Sequence, residues 1–416
     1  MNPSHALFRS FRRGRSALAP AFALFLSICL AALSRLSADA LFLPQRGAGQ
    51  ALPPAVGLSF TDQTPPAFVK MFAPAENRQD SPEQRAQLWL EALSTRRKIG
   101  QILLVRFPAE NAETLLWSLE PGGLVLFARD FEGRSPAELS ALLDRCRRQS
   151  LIPPLASVDE EGGQVVRVSR FSSYRAKRFL SPRTLLREGG LELVRQDAAE
   201  KTELLKSLGI QVNLGPVCDV ADQPSAFLYD RTAGDDAETV SAFVRTVVEA
   251  SQQGGVGCVL KHFPGYGNNA DTHIGSATDN RPLQAFEQCD FLPFQAGIEA
   301  GAGAVMISHN LVPCMDQSAP ASLSEAVHSL LRESLHFSGV CITDDLSMAA
   351  VSNGRDPGET AVLALLSGND LLCTDCSEEI VAALEAAVES GRIPQERLDE
   401  AVLRVLRWKI ELGLLS

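Results

Sequence analysis

Gly257-Cys258-Val259-Leu260-Lys261-His262-Phe263-Pro264-Gly265 is the stretch on which the fold turns. A short apolar run with β-branched character is followed at once by a lysine, a histidine and a Pro-Gly turn, so it reads as a strand over Gly257–Lys261 that ends in polar chemistry. The same sentence is written several more times along the chain. Apolar strands are predicted at Gln101–Phe107, Gly123–Phe127, Leu155–Asp159, Gln211–Leu214, Ala304–Ser308, Val340–Thr343 and Asp370–Cys373, with amphipathic stretches between them. Polar or glycine-rich clusters follow them directly: Asp159-Glu160-Glu161-Gly162-Gly163, Pro216-Val217-Cys218-Asp219, Ser308-His309-Asn310 and Thr343-Asp344-Asp345. Eight strands with polar ends predict an α/β fold, a single (β/α)8 TIM-type barrel whose site collects at the C-terminal ends of its strands. A doubly wound sheet would need one switch point rather than polar clusters after at least five strands.

Two long connections, from Arg170 to Ile210 and from Val220 to Gly255, carry helix-like apolar spacing at Leu191–Leu208 and Ala237–Gln252, and a last helix is predicted over Arg397–Leu414.

The chain has 416 residues, 45% hydrophobic and 21% charged, which describes a soluble globular protein rather than a disordered or multi-span membrane one. The net charge of −11 argues against nucleic acid or an anionic membrane as the main partner. That average conceals a basic start. Residues 1–40 hold Arg9, Arg12, Arg13, Arg15 and Arg35 against Asp39 alone, a surplus of four positive charges that leaves −15 on the rest of a chain totalling −11. The arginine cluster precedes an apolar run, Ala17 to Leu33, and then Ser37-Ala38-Asp39-Ala40, the order of an export signal with a small-residue cleavage site. Residues 1–40 are therefore predicted to be a signal peptide or an N-terminal membrane anchor. Residues 41–84, with seven prolines and no sustained apolar period, are predicted to be a linker, and 85–416 the barrel. The location expected is outside the cytoplasm, whether periplasmic, extracellular or membrane-anchored.

The nine cysteines are spread singly and several, such as Cys258 and Cys341, sit inside apolar runs, so they read as small buried hydrophobes. The one CxxC, Cys373-Thr374-Asp375-Cys376, lacks a second pair or a clustered histidine and is weak evidence for zinc or redox chemistry.

Two constellations carry chemistry. After Lys261-His262 comes a loop, Pro264 to Asn269, and then Asp271-Thr272-His273. A carboxylate two residues from an imidazole can fix its tautomer and favour the protonated ring, which suits a general acid/base near neutral pH. The spacing is equally that of two loop residues with no joint role. The second is Asp344-Asp345 at a strand end. Neighbours in a strand point to opposite sides, so one aspartate can face the barrel axis while the other caps a helix or holds a base. An axial carboxylate opposite a proton donor is the equipment of retaining glycoside hydrolysis.

Lys261-His262-Phe263-Pro264-Gly265 with Asp271-Thr272-His273, the Asp159–Gly163 segment and Thr343-Asp344-Asp345-Leu346-Ser347-Met348 together resemble glycoside hydrolase family 3, in its β-N-acetylhexosaminidase branch, over residues 90–416. The resemblance implies Asp344 as nucleophile, His273 as acid/base and Asp271 as its partner. It places sugar-binding positions on Asp159, Arg167, Arg231, Lys261 and His262. It also implies a carbohydrate substrate containing N-acetylglucosamine, taken from peptidoglycan fragments or chito-oligosaccharides, with no metal or organic cofactor and a monomeric enzyme. Tyr266 stands where the branch most often has histidine, and the separation of twelve residues from Lys261 to His273 is one shorter than usual. The second domain of many family 3 β-glucosidases is not expected here. Family 3 β-glucosidase specificity, an N-acetylglucosamine phosphorylase and a non-catalytic exported glycan-binding protein are the alternatives. A neutral imidazole, unlike a carboxylate, would not repel phosphate.

Overall fold

The computed structural model describes residues 80–107, 119–269, 277–352, 354–375 and 378–415, all within one compact unit, Thr64–Ser416. The segment 1–79, which includes the proposed signal and most of the linker, lies outside the described residues, as do Asp271, His273 and Cys376.

Eight strands form one parallel barrel: β1 (Leu103–Arg106), β2 (Gly123–Leu126), β3 (Leu155–Val158), β4 (Val212–Asn213), β5 (Gly257–Phe263), β6 (Ala304–Ile307), β7 (Val340–Thr343) and β8 (Leu372–Thr374). They neighbour one another in the order β7-β6-β5-β4-β3-β2-β1-β8. A parallel bridge between Ile342 and Leu371 closes the ring, with the Thr343 amide donating to the Leu371 carbonyl at 3.0 Å. Each strand coincides with a predicted one to within two residues, and β5 runs on through His262 to Phe263. Gln101 belongs to the preceding helix, Thr95–Gln101, rather than to β1.

The period of two decides what fills the interior. Leu104, Val125, Leu155, Val212, Val259, Met306 and Ile342 point inward and pack as one cluster, while their neighbours Leu103, Val105, Leu124 and Leu126 point outward beneath the helices. Valine and isoleucine suit this because their branched side chains fit a pleated, fully buried surface. Each such side chain removed from water contributes roughly 1.5–3 kcal/mol.

The helices start where the sequence marks them. Ser135-Pro136 and Ser181-Pro182 open the helices Pro136–Gln149 and Pro182–Leu208, the serine hydroxyl accepting from the amide three residues on. Asp236 does the same for Ala237–Gly254. The Pro182–Leu208 helix begins nine residues before the predicted Leu191, because a kink at Gly190 interrupts its apolar period. The first described helix, Pro82–Ala92, opens within the last residues assigned to the linker, and Ser81 supplies its capping box. The final helix, Gln395–Glu411, sends Val405 and Trp408 into the inward-facing cluster, and Trp408 packs against Gly257 and Gly303, which precede or begin β5 and β6 at the N-terminal end of the barrel. With that end plugged, the opposite end is left for a site.

Candidate active site

The C-terminal ends of the strands surround a cleft of about 430 Å³. Arg106 follows from β1, Asp159 from β3, Lys261 and His262 from β5, Met306 from β6, Asp344 from β7 and Cys373 from β8.

Alternation along Asp159-Glu160-Glu161 splits three carboxylates between two tasks. Asp159 and Glu161 line the cleft, whereas Glu160 is fully buried behind it. The Glu160 carboxylate accepts from the backbone amides of Arg167 (2.8 Å), Val168 (2.7 Å) and Ser169 (3.2 Å), and from the Ser169 hydroxyl. Those bonds fold the following loop back so that Arg167 reaches the cleft, its Nη2 lying 3.9 Å from Asp159 Oδ2.

Lys261 is the hub. Its Nζ donates to Asp159 Oδ1 and lies against Glu161 Oε1, both at 2.7 Å. Glu161 in turn receives Arg231 through a two-pronged contact, Nε at 2.9 Å and Nη2 at 2.7 Å. Burial alone would raise the Glu161 pKa, but Lys261 and Arg231 outweigh it and hold the carboxyl well below the usual carboxylate range. Burial likewise works against the Lys261 ammonium, and Asp159 and Glu161 overcome it, raising its pKa. Both groups therefore stay charged on the cleft floor.

His262 owes its orientation to a residue that sequence reasoning did not select. Asp219, fully buried, lies 2.8 Å from His262 Nδ1, and its two oxygens also accept from the amides of His262 (3.1 Å) and Tyr266 (2.8 Å). His262 Nε2 then faces Arg231 Nη2 at 3.4 Å. Lys261 and His262 can both line the cleft because the β5–β6 register slips between Leu260 and Phe263, an extra residue that breaks the alternation. Tyr266 is buried and edge-on to the His262 ring, with centroids 5.3 Å apart.

The aspartate pair follows the end of β7 and both members line the cleft, rather than pointing to opposite sides as within a strand; they differ in their partners. Asp345 is drawn onto Arg106, whose Nε donates at 2.9 Å, while its Oδ1 accepts from the Ser347 amide (2.9 Å) and hydroxyl (2.7 Å). Asp344 lines the cleft and accepts from the Asp345 amide at 2.9 Å. Cys373 nearby is inert: burial, with Asp345 and Asp344 adding to it, pushes its thiol well above the ordinary value.

A family model, the N-terminal domain of glycosyl hydrolase family 3, matches residues 94–408. The chain belongs to glycosyl hydrolase family 3. It is therefore a glycoside hydrolase, an enzyme acting on O-glycosyl bonds. Among proteins similar to it, β-hexosaminidase LpqI of Mycobacterium tuberculosis is 33% identical over 333 residues, which span 76% of this chain and 83% of that protein. A β-hexosaminidase of Xanthomonas oryzae is 36% identical over 281 residues, spanning 65% and 81%. A family 3 β-N-acetylglucosaminidase from a Paenibacillus strain has a structure that superposes with a TM-score of 0.74 at 32% identity, covering 78% of this chain and 63% of that one.

Within this family 3 site, Asp159, Arg167, Arg231, Lys261, His262 and Asp344 of the predicted set meet in the one cleft. Asp271 and His273 lie outside the described residues. Glu161, Asp219 and Arg106 were missed. Glu161 and Asp219 sit in the polar clusters that follow β3 and β4, so the rule that found the strands would have found them too, whereas Arg106 is the last residue of β1 and no polar cluster directly follows it. Among the described residues, no group of three or more His, Cys, Asp or Glu side chains could hold a metal ion, and none of the helices is long and apolar enough to cross a membrane.

Proposed function

We propose that this glycoside hydrolase is an exo-acting, retaining β-N-acetylglucosaminidase that removes terminal N-acetylglucosamine from peptidoglycan fragments or chito-oligosaccharides outside the cytoplasm. The observation that carries the reading is the division of labour at the end of β7. Both aspartates line a cleft of charged donors and acceptors, and Asp345 is held there by Arg106 and Ser347 while Asp344 accepts from the Asp345 amide. Buried hydroxyls of a sugar need hydrogen-bond partners, and Asp159, Lys261, His262, Arg167 and Arg231 provide them in charge-assisted form.

In the first step a carboxylate oxygen of Asp344 attacks the anomeric carbon while His273, oriented by Asp271, gives its proton to the departing glycosidic oxygen. In the second, His273 takes a proton from water, the water oxygen bonds to the anomeric carbon, and the Asp344 ester bond breaks. N-acetylglucosamine leaves with its configuration retained, and both residues are restored. The names of the LpqI and Xanthomonas relatives support the substrate class. The basic, apolar and small-residue order of residues 1–40 supports export.

The Asp344→Ala variant is expected to lose release of nitrophenol from the nitrophenyl β-glycoside of N-acetylglucosamine. Near-normal turnover in that variant would remove Asp344 from the reaction.

A further inference from the structure

The loop after β4 carries Phe227 to the cleft lip, and the geometry points to this ring as a stacking platform for the second sugar, on the leaving-group side of the scissile bond. The inference rests on the glycosidase reading above and adds a subsite to it.

Depth separates Phe227 from the groups that hold the terminal sugar. Glu161 and Lys261 are 8% and 2% exposed at the cleft floor, whereas Phe227 is 37% exposed at its lip. Among the described residues four large apolar side chains are exposed to this degree, and Phe227 is the one that lines the cleft. An exo-acting enzyme buries the terminal sugar at the closed end, so the next sugar must lie nearer the mouth. Its ring can rest on an aromatic face because a β-linked glucosamine unit directs its polar substituents sideways and its axial C–H bonds up and down. An aromatic wall with a few placed polar groups is the usual way a site orients such a ligand.

The loop is built to hold the ring still. Arg183, from the Pro182–Leu208 helix, grips its two ends, donating to the carbonyls of Ala221 (2.7 Å) and Tyr229 (2.9 Å) while its guanidinium lies 3.9 Å from the Tyr229 ring centroid. Gln164 donates to Asp230 at 2.7 Å. Asn268, from the β5 loop, binds Asp222 at 2.6 Å and the Gln223 amide at 3.2 Å. Phe227 also leans on Tyr266, with ring centroids 6.3 Å apart, and its centroid is 5.8 Å from the Arg231 guanidinium carbon. The platform is thus continuous with the floor through Tyr266 and His262, and three separate elements brace it.

The test compares two substrates that share the terminal sugar and differ in what leaves: chitobiose, with a sugar leaving group, and N-acetylglucosaminyl β-fluoride, with none. In Phe227→Ala the ratio of kcat/KM for chitobiose to kcat/KM for the fluoride is expected to fall roughly ten-fold, and in Phe227→Trp it is expected to return to the wild-type ratio. An unchanged ratio in Phe227→Ala, whichever way the separate rates move, would overturn the platform and leave the ring only a supporting role beside Arg231. Turnover of the fluoride shows that a variant is folded. A wild-type protein that cleaves neither substrate would overturn the N-acetylglucosaminidase reading itself, and the platform with it.

Discussion

Glu161 is where burial and charge are set most sharply against each other. A carboxylate 2% exposed is tolerable only because Lys261 and Arg231 both hold it, and they depend on it in return. Glu161→Gln would remove the carboxylate that both Lys261 and Arg231 contact, and breaking a buried pair in this way costs about 3–5 kcal/mol. The expected outcome is a clear fall in Tm together with a loss of roughly a hundred-fold in kcat/KM, the latter because Arg231 loses its two-pronged hold. The pH dependence has a definite sign. The folded-state pKa of Glu161 lies below its unfolded value, so its contribution to stability is present above the ordinary carboxylate pKa and is lost as pH falls through that value and below. Tm measured from pH 7 down to pH 3 is therefore expected to drop less steeply in Glu161→Gln than in the wild type. A parallel decline in the two proteins would show that the carboxyl titrates normally.

At the scale of elements, the strands were legible because each is an apolar run bounded by polar or glycine residues, and side-chain alternation needs nothing outside the strand. What lay beyond such a reading depends on contacts distant in sequence. The extension of β5 to Phe263 follows from a register slip against β6, and the engagement of Asp345 depends on Arg106 at the far end of the barrel sequence. Asp219 was visible as one member of a polar cluster, yet its role as the partner of His262 lies 43 residues away. The tertiary role of the last helix was equally hidden. A Cβ on Gly303 would stand 2.1 Å from Trp408 Nε1, so the bare backbone there is what lets the indole seal the barrel. Gly303→Ala is expected to cost about 1–3 kcal/mol through overpacking, read as a Tm lowered by several degrees. Its kcat/KM should stay near that of the wild type, because the cleft is at the other end of the strands. Loss of activity without loss of Tm would contradict the assignment of that end to stability.

For the whole molecule, charge and function fit together. The cleft pairs Asp159, Glu161, Asp344 and Asp345 against Arg106, Arg167, Lys261 and Arg231, a balance suited to a neutral glycan even though the chain as a whole carries −11. The N-terminal forty residues are a basic stretch. If it serves export and is removed, the mature protein recovered from the cell envelope is expected to begin near Leu41 by N-terminal sequencing. A start at Met1 would mean that the segment is retained as an anchor. The central claim remains the covalent role of Asp344. Incubating the enzyme with a ring-fluorinated N-acetylglucosaminyl fluoride, which reacts and then hydrolyses slowly, and mapping the modified peptide by mass spectrometry tests it directly. The sugar is predicted to be found esterified to Asp344. A label on Asp345 or Asp159, or inactivation with no label on the chain, would contradict it.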